Sequence, residues 1–335
     1  MPRLILAMLV ALGAIGSQAS RRPISLLVVG GIVVTENGSH HVFSPGAVAI
    51  DGTAIAAVDT PDSIASRFTA AETIDARDQV IMPGLINTHT HAPMVMYRGL
   101  ADDLALMDWL QKYIFPAEAK TVSPEMVRIG TRLAALEMIE SGTTTYADMY
   151  YFEEEVARAT REAGLRGVLG QTIIQFPVPD AKTPALGLER TEAYIRQFKD
   201  DSLITPAVAP HAMYTNDEAT LLACVELARR YLTPVIIHLA ETEEEVRIAR
   251  EQHQSTPTAY LESIGFWATA DRDSRSDPDP GAQRVAQYVL EAAAARLVRL
   301  SRALGRCGRQ DRDGWHDRGR AHRPRRRRLA AGRGA

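Results

Sequence analysis

Ile81-Met82-Pro83-Gly84-Leu85-Ile86-Asn87-Thr88-His89-Thr90-His91 is a short apolar strand that follows a Pro-Gly turn and finishes in two histidines at i and i+2. In a strand, that spacing points both imidazoles the same way. Two neutral imidazoles converging from one strand end make half of a zinc-type site, because borderline metals take nitrogen ligands readily and need them on one side of the ion. A bare His-x-His also fits a polar strand end carrying two solvated histidines. The rest of the chain decides between the two.

Downstream of His91, helix and strand patterns alternate in the way that builds parallel βα units. Ser123-Pro124-Glu125 is a helix start with a capping Ser and Pro at the first helical position, and its apolar series runs on to Gly142. The pattern continues with strands over Thr143–Met149, Arg166–Ile174, Leu203–Ala209 and Val235–Leu239. Between them lie helices over Glu153–Ala163, stopped by Gly164, over Leu188–Phe198, and over Asp217–Tyr231, capped by Thr215 or Asn216. With the histidine strand this makes five barrel-like strands. Upstream, Ile24–Thr35 reads as a strand, and Ala47–Val58 as two strands joined by an Asp51-Gly52 hairpin turn.

A (β/α)8 barrel places its chemistry at the C-terminal ends of its strands, so the informative residues are polar ones where apolar runs finish. His89, His91, His211, His238 and Glu241 sit there. His40 and His41 fall in a turn and His253 in a polar helical stretch, so they receive no role. His238 ends the apolar run Val235-Ile236-Ile237, either as a core histidine or as a third imidazole beside His89 and His91. Catalytic zinc sites use three protein ligands and an open water position, which favours the second account. Glu241, three residues on, is placed to shuttle protons near such a metal, and equally to be a first-turn acid of a helix starting near Thr242. Asp148 is either a carboxylate that orients a ligand histidine or a cap of the next helix, and stays outside the site. No Lys ends the fourth strand, so one metal is expected rather than two.

Pro83–His91, Arg98-Gly99-Leu100-Ala101-Asp102-Asp103, Ser141–Thr145, Asp148-Met149-Tyr150, Pro210-His211 and His238-Leu239-Ala240-Glu241-Thr242 together resemble the amidohydrolase superfamily. The likeness is greatest to its methylthioadenosine/S-adenosylhomocysteine deaminase group and covers about residues 25 to 266. It implies an α/β fold, a partial (β/α)8 TIM-like barrel over 81–267 beside a β-sandwich segment over 23–80. It also implies one divalent metal, zinc, on His89, His91 and His238, with an Asp from the eighth strand. Glu241 matches the residue that donates a proton to a purine nitrogen as water attacks the adjacent carbon and ammonia leaves. A metal lowers the pKa of bound water to about 7, which supplies hydroxide at neutral pH. Glu118 and His211 match substrate-binding positions, the Glu reaching both ribose hydroxyls; without the resemblance they would be a surface acid and a loop histidine. The implied reaction is hydrolytic deamination of an adenosine-like nucleoside, a cyclic amidine substrate. The alternative is another member acting on guanine, cytosine or a triazine, which has no ribose for Glu118 to hold.

The 335 residues are 46% hydrophobic and 24% charged, ordinary for a soluble globular chain of about two domains. Two cysteines make no disulfide framework, and Cys224 sits in an apolar helical pattern. The net charge of −3 hides an asymmetry. Residues 268–335 hold 17 Arg against 7 Asp and 1 Glu and lack Lys, Ile, Phe, Met and Asn. That composition, with neither a strand-borne His nor a Thr-Asp-Gly turn, reads as an out-of-frame or truncated end, with Val285–Leu304 as an Ala-rich helix. The expectation that follows is an incomplete barrel with impaired solubility and activity. A different class of function, a non-catalytic remnant whose Arg tail binds nucleic acid, would show steep salt dependence; a charge run is more often simply solvated, so no specific nucleic-acid partner is assigned. Residues 1–22 form a signal-like or frayed extension, its apolar Leu4–Ile15 too short to span a bilayer comfortably. Export follows if 1–19 is a signal; the resemblance implies the cytoplasm.

Overall fold

The computed structural model describes residues 20–269 and a strand at Tyr288–Glu291, and the chain divides into one unit up to Leu85 and a second from Ile86 onward. The first unit contains β1 (Arg22–Val29), β2 (Ile32–Val34), β3 (Val42–Phe43), β4 (Ala47–Asp51), β5 (Ala54–Asp59), α1 (Pro61–Arg67), β6 (Phe68–Asp75) and β7 (Val80–Ile81). Its larger sheet runs β5-β4-β1-β6, with β1 antiparallel to β4 and parallel to β6; a smaller one runs β3-β2-β7. The Asp51-Gly52 turn joins antiparallel β4 and β5 as expected. The single strand expected over Ile24–Thr35 is instead two, broken at Gly30, whose φ of +100° an L side chain rarely adopts. α1 is capped by Thr60, whose hydroxyl accepts from the Ser63 amide, and buries Ile64 against Ile24, Ala47 and Ala49.

The second unit begins on β8 (Leu85–Thr90) and continues with α2 (Leu106–Trp109), α3 (Phe115–Thr121), α4 (Pro124–Glu140), β9 (Thr143–Tyr150), α5 (Glu153–Ala163) and β10 (Arg166–Ile173). It proceeds through α6 (Pro184–Phe198), β11 (Ile204–Pro210), α7 (Glu218–Tyr231), β12 (Ile236–Leu239), α8 (Glu243–His253), α9 (Pro257–Ser263) and β13 (Tyr288–Glu291). Strands β8, β9, β10 and β11 are hydrogen-bonded neighbours in chain order, and β9, β10 and β11 are parallel. Parallel bridges Val208–Val235 and Ala212–His238 continue the order to β12, and β12 pairs in parallel with β13. Sequential parallel strands alternating with helices are part of a (β/α)8 barrel.

β9 to β12 are mostly buried on both faces, which is why they read as continuous apolar runs rather than alternating ones, whereas β8 leaves Leu85 and Ile86 exposed. Val208 and Ile237 pack with Leu221, Cys224 and Leu261 of the covering helices, while Met149, Ala207, Ala209 and Ile236 form a separate inner cluster. The inner face is tight. A Cβ on Gly170 would come within 2.7 Å of Ala209 Cβ, so only glycine fits there.

Three further expectations are corrected. The cap of α7 is Asp217, whose side chain accepts from the Thr220 amide, not Thr215 or Asn216, which are engaged elsewhere. α6 starts at Pro184, four residues before Leu188, because Thr183 caps it and Pro occupies its first turn. Tyr288–Glu291, inside the stretch read as a helix, is a sixth strand; Tyr-Val-Leu suits a strand, and β12 offers unpaired backbone groups along its edge. The signal-like 1–19 and the rest of the Arg-rich tail lie outside the described residues. Among the described residues, no helix is long and apolar enough to cross a membrane.

Candidate metal and substrate site

β8 delivers His89, and His91 follows directly after it; β12 delivers His238. Ring centroids lie 4.9 Å apart for His89–His91, 5.2 Å for His89–His238 and 5.3 Å for His91–His238. One nitrogen from each ring falls within 4.8 Å of the others. The i, i+2 pair therefore does meet a third imidazole, from a strand almost 150 residues away in sequence. His91 Nδ1 lies 2.6 Å from the Met149 carbonyl and donates to it, which leaves the Nε2 lone pair free.

His238 supplies the test of whether a metal fits. Its residue is 6% exposed, and among the described residues neither ring nitrogen finds a hydrogen-bond partner. A buried polar atom left unpaired costs about 1–3 kcal/mol, a deficit that coordination removes. Burial, with the other imidazoles adding repulsion, holds His238 well below the ordinary histidine value and His91 at about 4. Metal ligation requires neutral imidazoles, the form that burial favours for both rings. The donor set fits a borderline divalent ion such as zinc.

His211, just past β11, has its ring centroid 4.8 Å from that of His238. Its Nδ1 sits 3.0 Å from Thr215 Oγ1, and burial lowers it to about 3. The Thr215 hydroxyl donates to the Ala212 carbonyl, so it accepts from His211 Nδ1–H and leaves Nε2 as an acceptor. Glu241 takes a hydrogen bond from the Tyr214 hydroxyl at 3.0 Å, and its own amide donates to Glu245 at 2.8 Å. Burial raises its carboxyl, opposed by the Tyr214 bond.

Glu118 is not a surface acid. It stands on α3, 4% exposed, and accepts from the Tyr150 hydroxyl at 2.8 Å; burial raises it to about 7. His91, His211, His238, Glu118 and Glu241 line one cavity, and His89 joins them through its ring contacts. His253 lies elsewhere, stacked on Tyr260. The cavity also takes Trp109 and Leu110 from the junction of α2 with a π-helical turn at Leu110–Ile114, and Thr172 from β10. Sequence reading passed over these. Tyr214 carries a usable signal, since it follows the end of β11 just after the candidate residue His211.

The chain belongs to the amidohydrolase family, whose pattern matches residues 80–271. It is 49% identical over 241 residues to the 5-methylthioadenosine/S-adenosylhomocysteine deaminase of Syntrophobacter fumaroxidans, covering 72% of this chain and 55% of that protein. A 5'-deoxyadenosine deaminase of Methanothrix thermoacetophila is 46% identical over 195 residues, 58% of this chain and 45% of its own. The solved structure of an adenosine deaminase from Xanthomonas campestris with bound zinc superposes with a TM-score of 0.71 at 38% identity, covering 73% of this chain and 56% of that one. The chain spans about half the length of the curated relatives it matches.

Proposed function

We propose that this chain carries the metal and substrate site of a hydrolytic deaminase of adenosine-like nucleosides, of the methylthioadenosine/S-adenosylhomocysteine type. The observation that carries the reading is the buried His238 ring, both nitrogens unpartnered among the described residues, facing the imidazoles of His89 on β8 and His91 just beyond it, beside a cavity lined by Glu118 and Glu241. The names of the relatives support the substrate class.

His89, His91 and His238 would hold one divalent metal, zinc. Bound there, such an ion supplies water acidic enough to act as a nucleophile at neutral pH. Glu241, raised by burial, holds its proton closer to neutrality than an exposed glutamate and can pass it to a ring nitrogen of the purine. Tyr214 fixes which Glu241 oxygen remains free. Glu118 accepts from vicinal ribose hydroxyls, and those donors draw its carboxyl toward the ionised form. His211 Nε2 accepts a further substrate hydrogen.

The test follows ammonia release from 5'-methylthioadenosine and from its 2',3'-dideoxy analogue, with guanine as a third substrate, on zinc-loaded protein. The reading expects the first to be preferred and Glu118→Gln to erase the preference. Equal rates on the two nucleosides, or preference for guanine, would remove the nucleoside reading in favour of another member of the family.

A further inference from the structure

Asp148 lies in β9, 1% exposed, one residue before Met149. Neither role open to it from sequence matches its contacts. The cap position of α5 is Phe152, with no side-chain cap bond, and among the described residues Asp148 makes no bond to a histidine ring. Its Oδ1 instead accepts from the backbone amide of Ala92 at 2.5 Å, across 56 residues of sequence. Adjacent residues of β9 thus grip adjacent residues beyond β8: the Met149 carbonyl holds the His91 ring, and the Asp148 carboxyl holds the Ala92 amide.

His91 needs such a grip. It sits past the end of β8, with φ −122° and ψ 76°, where a 3-10 helix over Ala92–Tyr97 begins. The first amide of a helix has no partner within it, so Ala92 N–H would be a buried orphan without Asp148. β8 also ends the sheet order, so among the described residues its only strand neighbour is β9. Glu153, fully buried, lies close enough to Asp148 for each to influence the other's protonation, yet Asp148 Oδ2 and both Glu153 oxygens lack a partner of good geometry. The Ala92 amide is thus the one hydrogen bond of good geometry the Asp148 carboxyl makes among the described residues.

We propose that Asp148 is a positioning residue for the metal site, fixing the Ala92 amide and through it the place of His91 relative to His89 and His238. The proposal rests on the three histidines being the metal site. It requires an acceptor oxygen at position 148, not a charge.

The full chain would be titrated with zinc against a chromophoric chelator, and with cobalt while following its visible ligand-field absorption, for wild type, Asp148→Asn, Asp148→Leu and His238→Ala. Asp148→Leu should weaken metal binding roughly 10- to 100-fold and shift the cobalt spectrum, while Asp148→Asn, which keeps the acceptor, stays within about threefold of wild type. Circular dichroism and melting of the metal-free proteins establish that each variant is folded. Should Asp148→Leu fail to fold, Asp148→Ala, smaller and also without an acceptor, takes its place: weakened metal binding beside an unchanged Asp148→Asn supports the proposal, and wild-type affinity in the folded Ala variant, or a loss in Asp148→Asn as large as the His238 variant's, overturns it. Wild-type affinity in a folded Asp148→Leu also overturns it. If the wild type binds no metal, or His238→Ala binds as well as wild type, the histidine reading itself falls and takes the proposal with it.

Discussion

Two buried polar clusters meet at β9, one of imidazoles and one of carboxyls, and burial does the same thing to both. It drives His91 and His211 down to about 4 and 3, lifts Asp148 to about 7, and pushes Glu153 well above the ordinary glutamate value. Each cluster is pushed toward its uncharged form because an unpaired charge is expensive away from water. The chemical results are opposite. A neutral imidazole keeps a lone pair and so remains a ligand, whereas a neutral carboxyl holds a proton and can only pair with a neighbour. The first cluster is the one proposed to hold a metal, and the second is the one proposed to position it. Bringing either out of that environment should therefore have different consequences.

The largest effect should come from removing one lone pair. Zinc at a thousand times its dissociation constant should stabilise the wild type by about 4 kcal/mol and leave His238→Ala unmoved. Thermal or denaturant unfolding with and without zinc measures this. Equal stabilisation of both proteins would place the metal elsewhere and break the contrast between the clusters.

Glu118 extends the comparison, since it is a buried carboxyl on the substrate side. Below pH 4.5 it is protonated in both folded and unfolded chains and contributes nothing to pH dependence. As pH rises from 4.5 towards 7 the unfolded carboxyl ionises first, so this residue costs stability, up to about 3 kcal/mol once pH passes its raised value of about 7. Glu118→Gln removes that cost. Its stability relative to wild type should rise across the same window, measured by urea unfolding at pH 4.5, 6 and 8. A difference that does not change with pH would mean Glu118 ionises freely in the folded chain.

The alternation of apolar runs made the barrel strands legible, because parallel strands buried on both faces leave little else to read; β9, β10 and β11 fall within a residue or so of their expected ends. The His-x-His pair and His238 were legible as well, being polar endings to apolar strands. What could not be read was contact across the sequence. Nothing local to Glu118 says that Tyr150 will cover it, and nothing local to Asp148 says that its partner is the Ala92 amide. The strand at Tyr288–Glu291 was hidden for a different reason, since four residues among Arg and Ala carry too little periodicity to outweigh a helical composition.

The smallest effect tests whether the proposed proton donor is also held by a local contact. The Tyr214 hydroxyl donates to Glu241 at 3.0 Å and so favours its ionised form, working against burial. Tyr214→Phe removes that opposition, and Glu241 should then hold its proton to higher pH. A general acid works only while protonated, so the alkaline limb of the rate profile for adenosine-like substrates should move upward in pH. The free energy involved is about 1.5 kcal/mol, the low end for a hydrogen bond to a charged group, so a shift of roughly one pH unit should be visible. Metal affinity should not change, since Tyr214 touches none of the three imidazoles assigned to the ion. A shift of the limb with unchanged zinc binding would separate the acid from the metal centre as two independently tuned groups. A loss of zinc binding with no shift would show instead that Tyr214 props the β12 end as a whole, and that Glu241 owes its raised value to burial alone.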